Sequence, residues 1–215
     1  QEFSNEITQW LVNQNSKMIV VACNTASSLA LDHIKLKFNL PIIGVIEPGV
    51  HSAIAVTKNN RIGVLGTQAT IRSDAYGSEL QSINGEIDVV SQACPLFVPL
   101  AEEGWVSGDV PTSVARTYLE PILMSNVDTV ILGCTHYPLL KPILSHVLGS
   151  EVCLVDSGEA TATAVDSVLD EHYLGAEEKA GEIQCFVTDS PDSFEALAGR
   201  FVKANISAIT HIDIS

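Results

Sequence analysis

Short apolar runs rich in valine and isoleucine recur along the whole chain, each separated from the next by a stretch of helical period, and this alternation restricts the fold more than any other feature. The runs predict strands at Met18–Ala22, Ile42–Ile46, Arg61–Gly66, Ile87–Ser91, Thr129–Gly133, Val152–Asp156, Ile183–Val187 and Ser207–Ile212. Between them the periodicity predicts helices at about 3–15, 26–37, 48–57, 68–83, 112–125, 138–148, 159–173 and 191–203. Strands that alternate with helices are joined by crossovers and therefore lie parallel, and strands apolar on both faces must be covered on both. The fold class is α/β with a mostly parallel sheet.

Composition narrows the function. The chain has 215 residues, enough for one large domain or two small ones with a real core. Its 26 Asp+Glu against 11 Lys+Arg give a net charge of -15, which repels a polyphosphate backbone and argues against nucleic acid as a partner. The richest apolar run, Met18–Cys23, ends at Asn24 and is too short to span a membrane. Five scattered cysteines (Cys23, Cys94, Cys134, Cys153 and Cys185), with no Cys-x-x-Cys pair, argue against a disulfide scaffold or a metal site and for a reducing, cytoplasmic compartment. The chain opens at Gln1 inside a helical pattern, without an initiator Met or a signal core, so a fragment is expected.

In open α/β sheets the ligand sits beyond the carboxyl ends of the strands. Two of those ends resemble each other: Ile19-Val20-Val21-Ala22-Cys23-Asn24-Thr25 and Val130-Ile131-Leu132-Gly133-Cys134-Thr135-His136. Each is an apolar strand, then a cysteine, then polar residues at a helix start, and 111 positions separate the two thiols. Helix capping accounts for the hydroxyls; it does not account for a thiol at both places. The repeat predicts two similar α/β domains facing each other across a cleft.

A symmetric pair of thiols suits racemisation at an α-carbon. One thiolate removes the proton from one face while a thiol delivers a proton to the other, and a helix start lowers a thiol's pKa toward neutrality. With no Lys or Arg adjacent to either motif, an anionic ligand would be held by donors at the helix starts, namely Asn24, Thr25, Thr135 and His136. His136 can relay a proton to Cys134, and Glu102, read as lying at a strand end after Pro95–Leu100, is a carboxylate that can pair with it. Two other readings stay open: a thiol enzyme using one cysteine with His136 as base, and a non-catalytic module that binds a small anion.

The segments Val21–Ser27 and Leu132–Leu140 resemble the two catalytic motifs of bacterial glutamate racemases, in the same order and at compatible spacing. Gly44–Gly49, Ile62–Thr67 with Ala69–Ile71, Cys94–Leu100 with Glu102, and Ser157-Gly158 are similar to further family segments, so the resemblance covers essentially the whole chain. It implies a cofactor-independent two-base racemase that supplies D-glutamate for peptidoglycan. Cys23 and Cys134 would be the acid/base thiols, with His136 and Glu102 assisting the second. Asn24, Thr25, Thr135 and His136 would line the substrate, joined by Thr67 and Thr70. The resemblance also implies a discontinuous first domain (1–45 and 156–215), a second domain (46–155), glutamate as small-molecule substrate and a homodimer as the common assembly. The family's opening Asp-Ser-Gly and Pro-Tyr-Gly segments have no counterpart here, so roughly 60 residues are expected ahead of Gln1, and weak turnover is expected from these 215 residues. An aspartate racemase or a related decarboxylase remains an alternative.

Overall fold

The computed structural model describes residues 1–176, 181–202 and 206–214. Its largest sheet has four strands, all parallel, in the order β4-β3-β5-β6: β3 (Arg61–Gly66), β4 (Asp88–Ala93), β5 (Thr129–Gly133) and β6 (Cys153–Asp156). All of β5 and all of β3 after Arg61 are buried, which is why these two segments read as unbroken apolar runs. Alternate residues still feed different layers. Ile62, Val64 and Ile131 pack beneath α3 (Ile46–Val56) and α5 (Ala75–Ile83), together with Val50, Tyr76 and Leu80. Leu65, Val130 and Leu132 pack on the other face with Leu119 and Ile122 of α7 (Asp109–Met124) and Leu144 of α8 (Lys141–Leu148).

A smaller parallel pair, β1 (Ile19–Val21) with β2 (Ile42–Gly44), is bridged by α2 (Asn24–Lys37) over a core of Ile19, Ala30, Ile34, Phe38 and Ile42. A second pair, β7 (Ile183–Val187) with β8 (Ile206–His211), is also parallel and flanks α10 (Pro191–Phe201). The C-terminal part comes back to the N-terminal part: the Trp10 ring of α1 (Glu2–Asn13) lies 4.7 Å from Phe186 of β7, and the Lys17 ammonium donates to the Leu174 carbonyl. The α/β class and the parallel pairing agree with expectation.

Several boundaries differ for identifiable reasons. β2 stops at Gly44, not Ile46, because Ile46 already opens α3. The helix expected over 68–83 breaks at Asp74, which takes a left-handed conformation (φ 53°) and splits it into α4 (Gln68–Ser73) and α5. The apolar stretch before Glu102 is not a strand: it forms the short helix α6 (Phe97–Glu102), which buries Phe97 and Ala101, four positions apart on one face. The helix expected to reach residue 203 ends at Phe201, and residues 203–205 lie outside those described.

Gly133 stands where β5 passes closest to its neighbours. A Cβ there would sit 2.7 Å from the Leu65 backbone oxygen and 3.1 Å from the Tyr76 ring, and a backbone oxygen in mid-sheet cannot swing aside. Gly133→Ala should therefore cost about 1–3 kcal/mol in urea unfolding. At Gly85→Ala, where the nearest atom is 3.9 Å away, stability should stay within about 0.5 kcal/mol.

Candidate active site

Strand β3 leads through α4 and α5 to β4 on one side of the sheet, whereas β5 leads through α8 to β6 on the other. Between β3 and β5 the order reverses, and a crevice opens beyond their carboxyl ends. Gly66 and Gly133 face each other there in register, and the chain leaves them as Gly66-Thr67 and Gly133-Cys134. The N-terminus of α2, carrying Cys23, Asn24 and Thr25, closes on the same place.

Three hydroxyls join the two parts. Thr25 Oγ1 lies 2.9 Å from Thr67 Oγ1 and 3.1 Å from Thr70 Oγ1, and the last two are 3.0 Å apart. Thr67 also caps α4 by accepting the Thr70 backbone N–H. Beside this triangle the Tyr76 hydroxyl donates to Asn24 Oδ1 at 2.5 Å. The Asn24 side-chain NH2 is buried and has no partner among the described residues, an omission that costs about 1–3 kcal/mol unless a ligand or water fills it.

The second thiol has its own surroundings. Cys134 Sγ is 3.9 Å from His136 Nδ1, and His136 Nε2 is 3.1 Å from Glu102 Oε1. The α6 helix brings Glu102 within reach: Phe97 stacks edge-on against Tyr137 at 5.2 Å, and the Tyr137 hydroxyl donates to the Cys94 carbonyl at 2.9 Å. Thr135 Oγ1 lies 3.4 Å from His136 Nδ1, and Thr135 lines a cavity of about 460 Å3 together with Ala22, Val45, Ser157 and Phe201.

A helix start was expected to lower both thiol pKa values, and at Cys134 the structure corrects this. The residue precedes a 3-10 turn (Tyr137–Leu140), and burial pushes its thiol up to about 11. The backbone N–H groups of His136 and Tyr137 work against that, while charge on Cys23 or Glu102 adds to it. Charge on Cys23 opposes charge on Cys134, so ionising one disfavours ionising the other. Cys23, the N-terminal cap of α2, is exposed, and Cys134 is buried.

All the residues singled out in sequence fall into this region: Cys23, Asn24, Thr25, Thr67 and Thr70 on one side, Cys134, Thr135, His136 and Glu102 on the other. Sequence reading passed over two more. Tyr76 reaches Asn24 and looked like an ordinary helix residue. Arg200 of α10 donates through Nη1 to the carbonyls of Ala101 and Glu102, and its neighbour Phe201 sets its ring 5.4 Å from His136. No sequence signal marked Arg200, since 98 positions separate it from Glu102. Lys141, one of the few cations close in sequence to a motif, is taken up by Asp156 at 2.9 Å and Glu159 at 3.6 Å. Among the described residues no three His, Cys, Asp or Glu side chains gather as a metal site, and no helix is long and apolar enough to cross a membrane.

A covered parallel sheet, with two thiols at strand ends that meet over a switch point, places the molecule among the α/β proteins built for chemistry in a cleft. More narrowly, the chain belongs to the Asp/Glu/Hydantoin racemase family, whose sequence pattern matches residues 4–165. It is 45% identical over 213 residues to the glutamate racemase of Geobacter metallireducens, covering 99% of this chain and 79% of that one. Its fold is similar to the crystal structure of glutamate racemase isoform RacE1 from Bacillus anthracis, with a TM-score of 0.95, 35% identity and coverage of 99% and 80% of the two chains. It is also similar to the glutamate racemase of Francisella tularensis in complex with D-glutamate, with a TM-score of 0.93, 34% identity and coverage of 100% and 80%.

Exposure separates the thiols in alkylation: iodoacetamide at pH 8 should modify Cys23 well before Cys134 and Cys94, as read by peptide mass mapping. The raised pKa also has a sign. As pH climbs, the unfolded thiol ionises first, near its ordinary 9.0, so the stability held in neutral Cys134 is complete below pH 9 and drains away toward about 11. Urea midpoints measured from pH 8 to 11 should fall by the equivalent of about 2 kcal/mol more in the wild type than in Cys134→Ala.

Proposed function

We propose that the chain racemises glutamate without a cofactor, using Cys23 and Cys134 as opposed acid and base. What carries this reading is the Cys134 environment: a buried thiol 3.9 Å from His136 Nδ1, with His136 Nε2 in turn 3.1 Å from Glu102 Oε1, at the end of a strand next to the switch point. The family membership and the bound D-glutamate of the Francisella tularensis relative support the substrate.

In one direction the Cys23 thiolate takes the α-proton and becomes a thiol. The electron pair left on the α-carbon is shared with the substrate carboxylate, and Cys134 then gives its proton to the opposite face, leaving as a thiolate. No proton is gained or lost overall, and the reverse direction exchanges the roles. Holding one proton between the two sulfurs is what their mutual repulsion favours. His136, oriented by Glu102, returns Cys134 to the required protonation state. Asn24, Thr25, Thr135 and His136 bind the substrate, with Thr67 and Thr70 completing the hydroxyl group around Thr25. On this reading the lobes are 1–45 with 156–215 and 46–155, and the product is D-glutamate for peptidoglycan, made in the cytoplasm.

The experiment is wash-in of solvent deuterium at the α-carbon of L- and D-glutamate, with the intact protein as the cell makes it. Both enantiomers should exchange, and Cys23→Ser and Cys134→Ser should each lose racemisation by at least about 100-fold. Absence of exchange with glutamate, aspartate and other amino acids would sink the proposal. Full activity in either serine variant would favour a single-cysteine enzyme.

A further inference from the structure

The Asn24 amide is held in an unusual way. It sits at the first position of α2, one residue from Cys23, with a side chain almost wholly removed from solvent. Its oxygen is engaged by the Tyr76 hydroxyl, which reaches it from α5 across 52 positions of sequence. Its NH2 group is engaged by nothing among the described residues. A buried primary amide with one end tied and the other open is a donor waiting for an acceptor.

Tyr76 is equipped to hold that amide in one orientation. Its ring is buried against Gly49 and Ser157, with Gly133 close on another side, so the phenol cannot swing away. Burial, with a smaller contribution from nearby Cys134, pushes the phenol's pKa well above its ordinary value. The hydroxyl therefore keeps its proton and donates it. With Asn24 Oδ1 engaged by the Tyr76 hydroxyl, a flip of the amide would give up that bond and turn its oxygen, in place of the NH2, to the open side.

We propose that Tyr76 is a positioning residue: by donating to Asn24 Oδ1 it fixes the Asn24 NH2 as a hydrogen-bond donor to the carboxylate of the amino-acid substrate, beside the two thiols. This rests on the racemase reading and deepens it. The effect falls on substrate binding rather than on proton transfer, because Tyr76 touches neither the substrate nor a sulfur in its role.

The test uses the intact protein in five forms: wild type, Tyr76→Phe, Asn24→Ala, the double variant of these two, and Asn24→Asp. For each, KM and kcat are measured for L-glutamate, Kd for glutamate by calorimetry, and Tm without ligand. Tyr76→Phe keeps the ring and its packing and removes only the donor. It should raise KM and Kd about tenfold, the loss expected for one hydrogen bond, with kcat changed less than about threefold. In the Asn24→Ala background the same change should alter KM and Kd by less than about twofold, since the amide it positions is gone. Asn24→Asp, which keeps the shape but has no NH2 to donate, should weaken binding at least as much as Asn24→Ala, and this variant carries the test if Tyr76→Phe does not fold. The inference is overturned if Tyr76→Phe leaves KM and Kd within twofold of wild type, if the tenfold effect persists in the Asn24→Ala background, or if Asn24→Asp binds glutamate normally. A wild type that binds glutamate but does not racemise it overturns the activity reading alone, because Kd still reports on Tyr76.

Discussion

The pairing of β3 with β5 is the contact on which the rest of the molecule depends. These strands are adjacent in the sheet, but the connections that leave them travel to opposite edges, so the space beyond their ends is left unfilled by the chain's own helices. Two glycines in register end the strands, and one of them, Gly133, has no room for a side chain. That closeness sets Cys134 beside the sheet's own core, where burial governs its acidity, and sets Thr67 and Thr70 against the N-terminus of α2.

Much of this was legible in the sequence, and the reasons differ by element. Arg61–Gly66 and Thr129–Gly133 were read to the residue because strands buried on both faces leave a continuous apolar signal. The thiols were legible because cysteine is an odd choice at two equivalent turns, where hydroxyls are common. Glu102 was found as a residue and misplaced as structure: Pro95–Leu100 is apolar enough to read as a strand, and only the packing of Phe97 on Tyr137 shows why it winds into α6. Tyr76 and Arg200 were not legible, because their importance lies in contacts across 52 and 98 positions that no local pattern encodes.

The direction of the Cys134 shift has the same origin. A helix start is a local feature, visible in sequence, and it favours a thiolate; desolvation by Leu132, Tyr137 and Leu140 is a property of the assembled core, and it wins. The backbone N–H groups of His136 and Tyr137 then mitigate the penalty without removing it. A thiol in that balance stays protonated near neutral pH, which on the proposed reading makes it the proton donor to the α-carbanion.

The triangle of Thr25, Thr67 and Thr70 has a consequence of a different kind. Each hydroxyl can give one hydrogen and accept another, so three of them within 3.1 Å can close a loop whose hydrogens run in either sense. An empty cleft is then already satisfied, and an arriving anion does not have to create its welcome from water. On the proposed reading, the substrate would open the loop at one oxygen and take a hydrogen turned toward it. For a chain this acidic, such a neutral device would stand in, on that reading, for the fixed positive charge that its composition withholds.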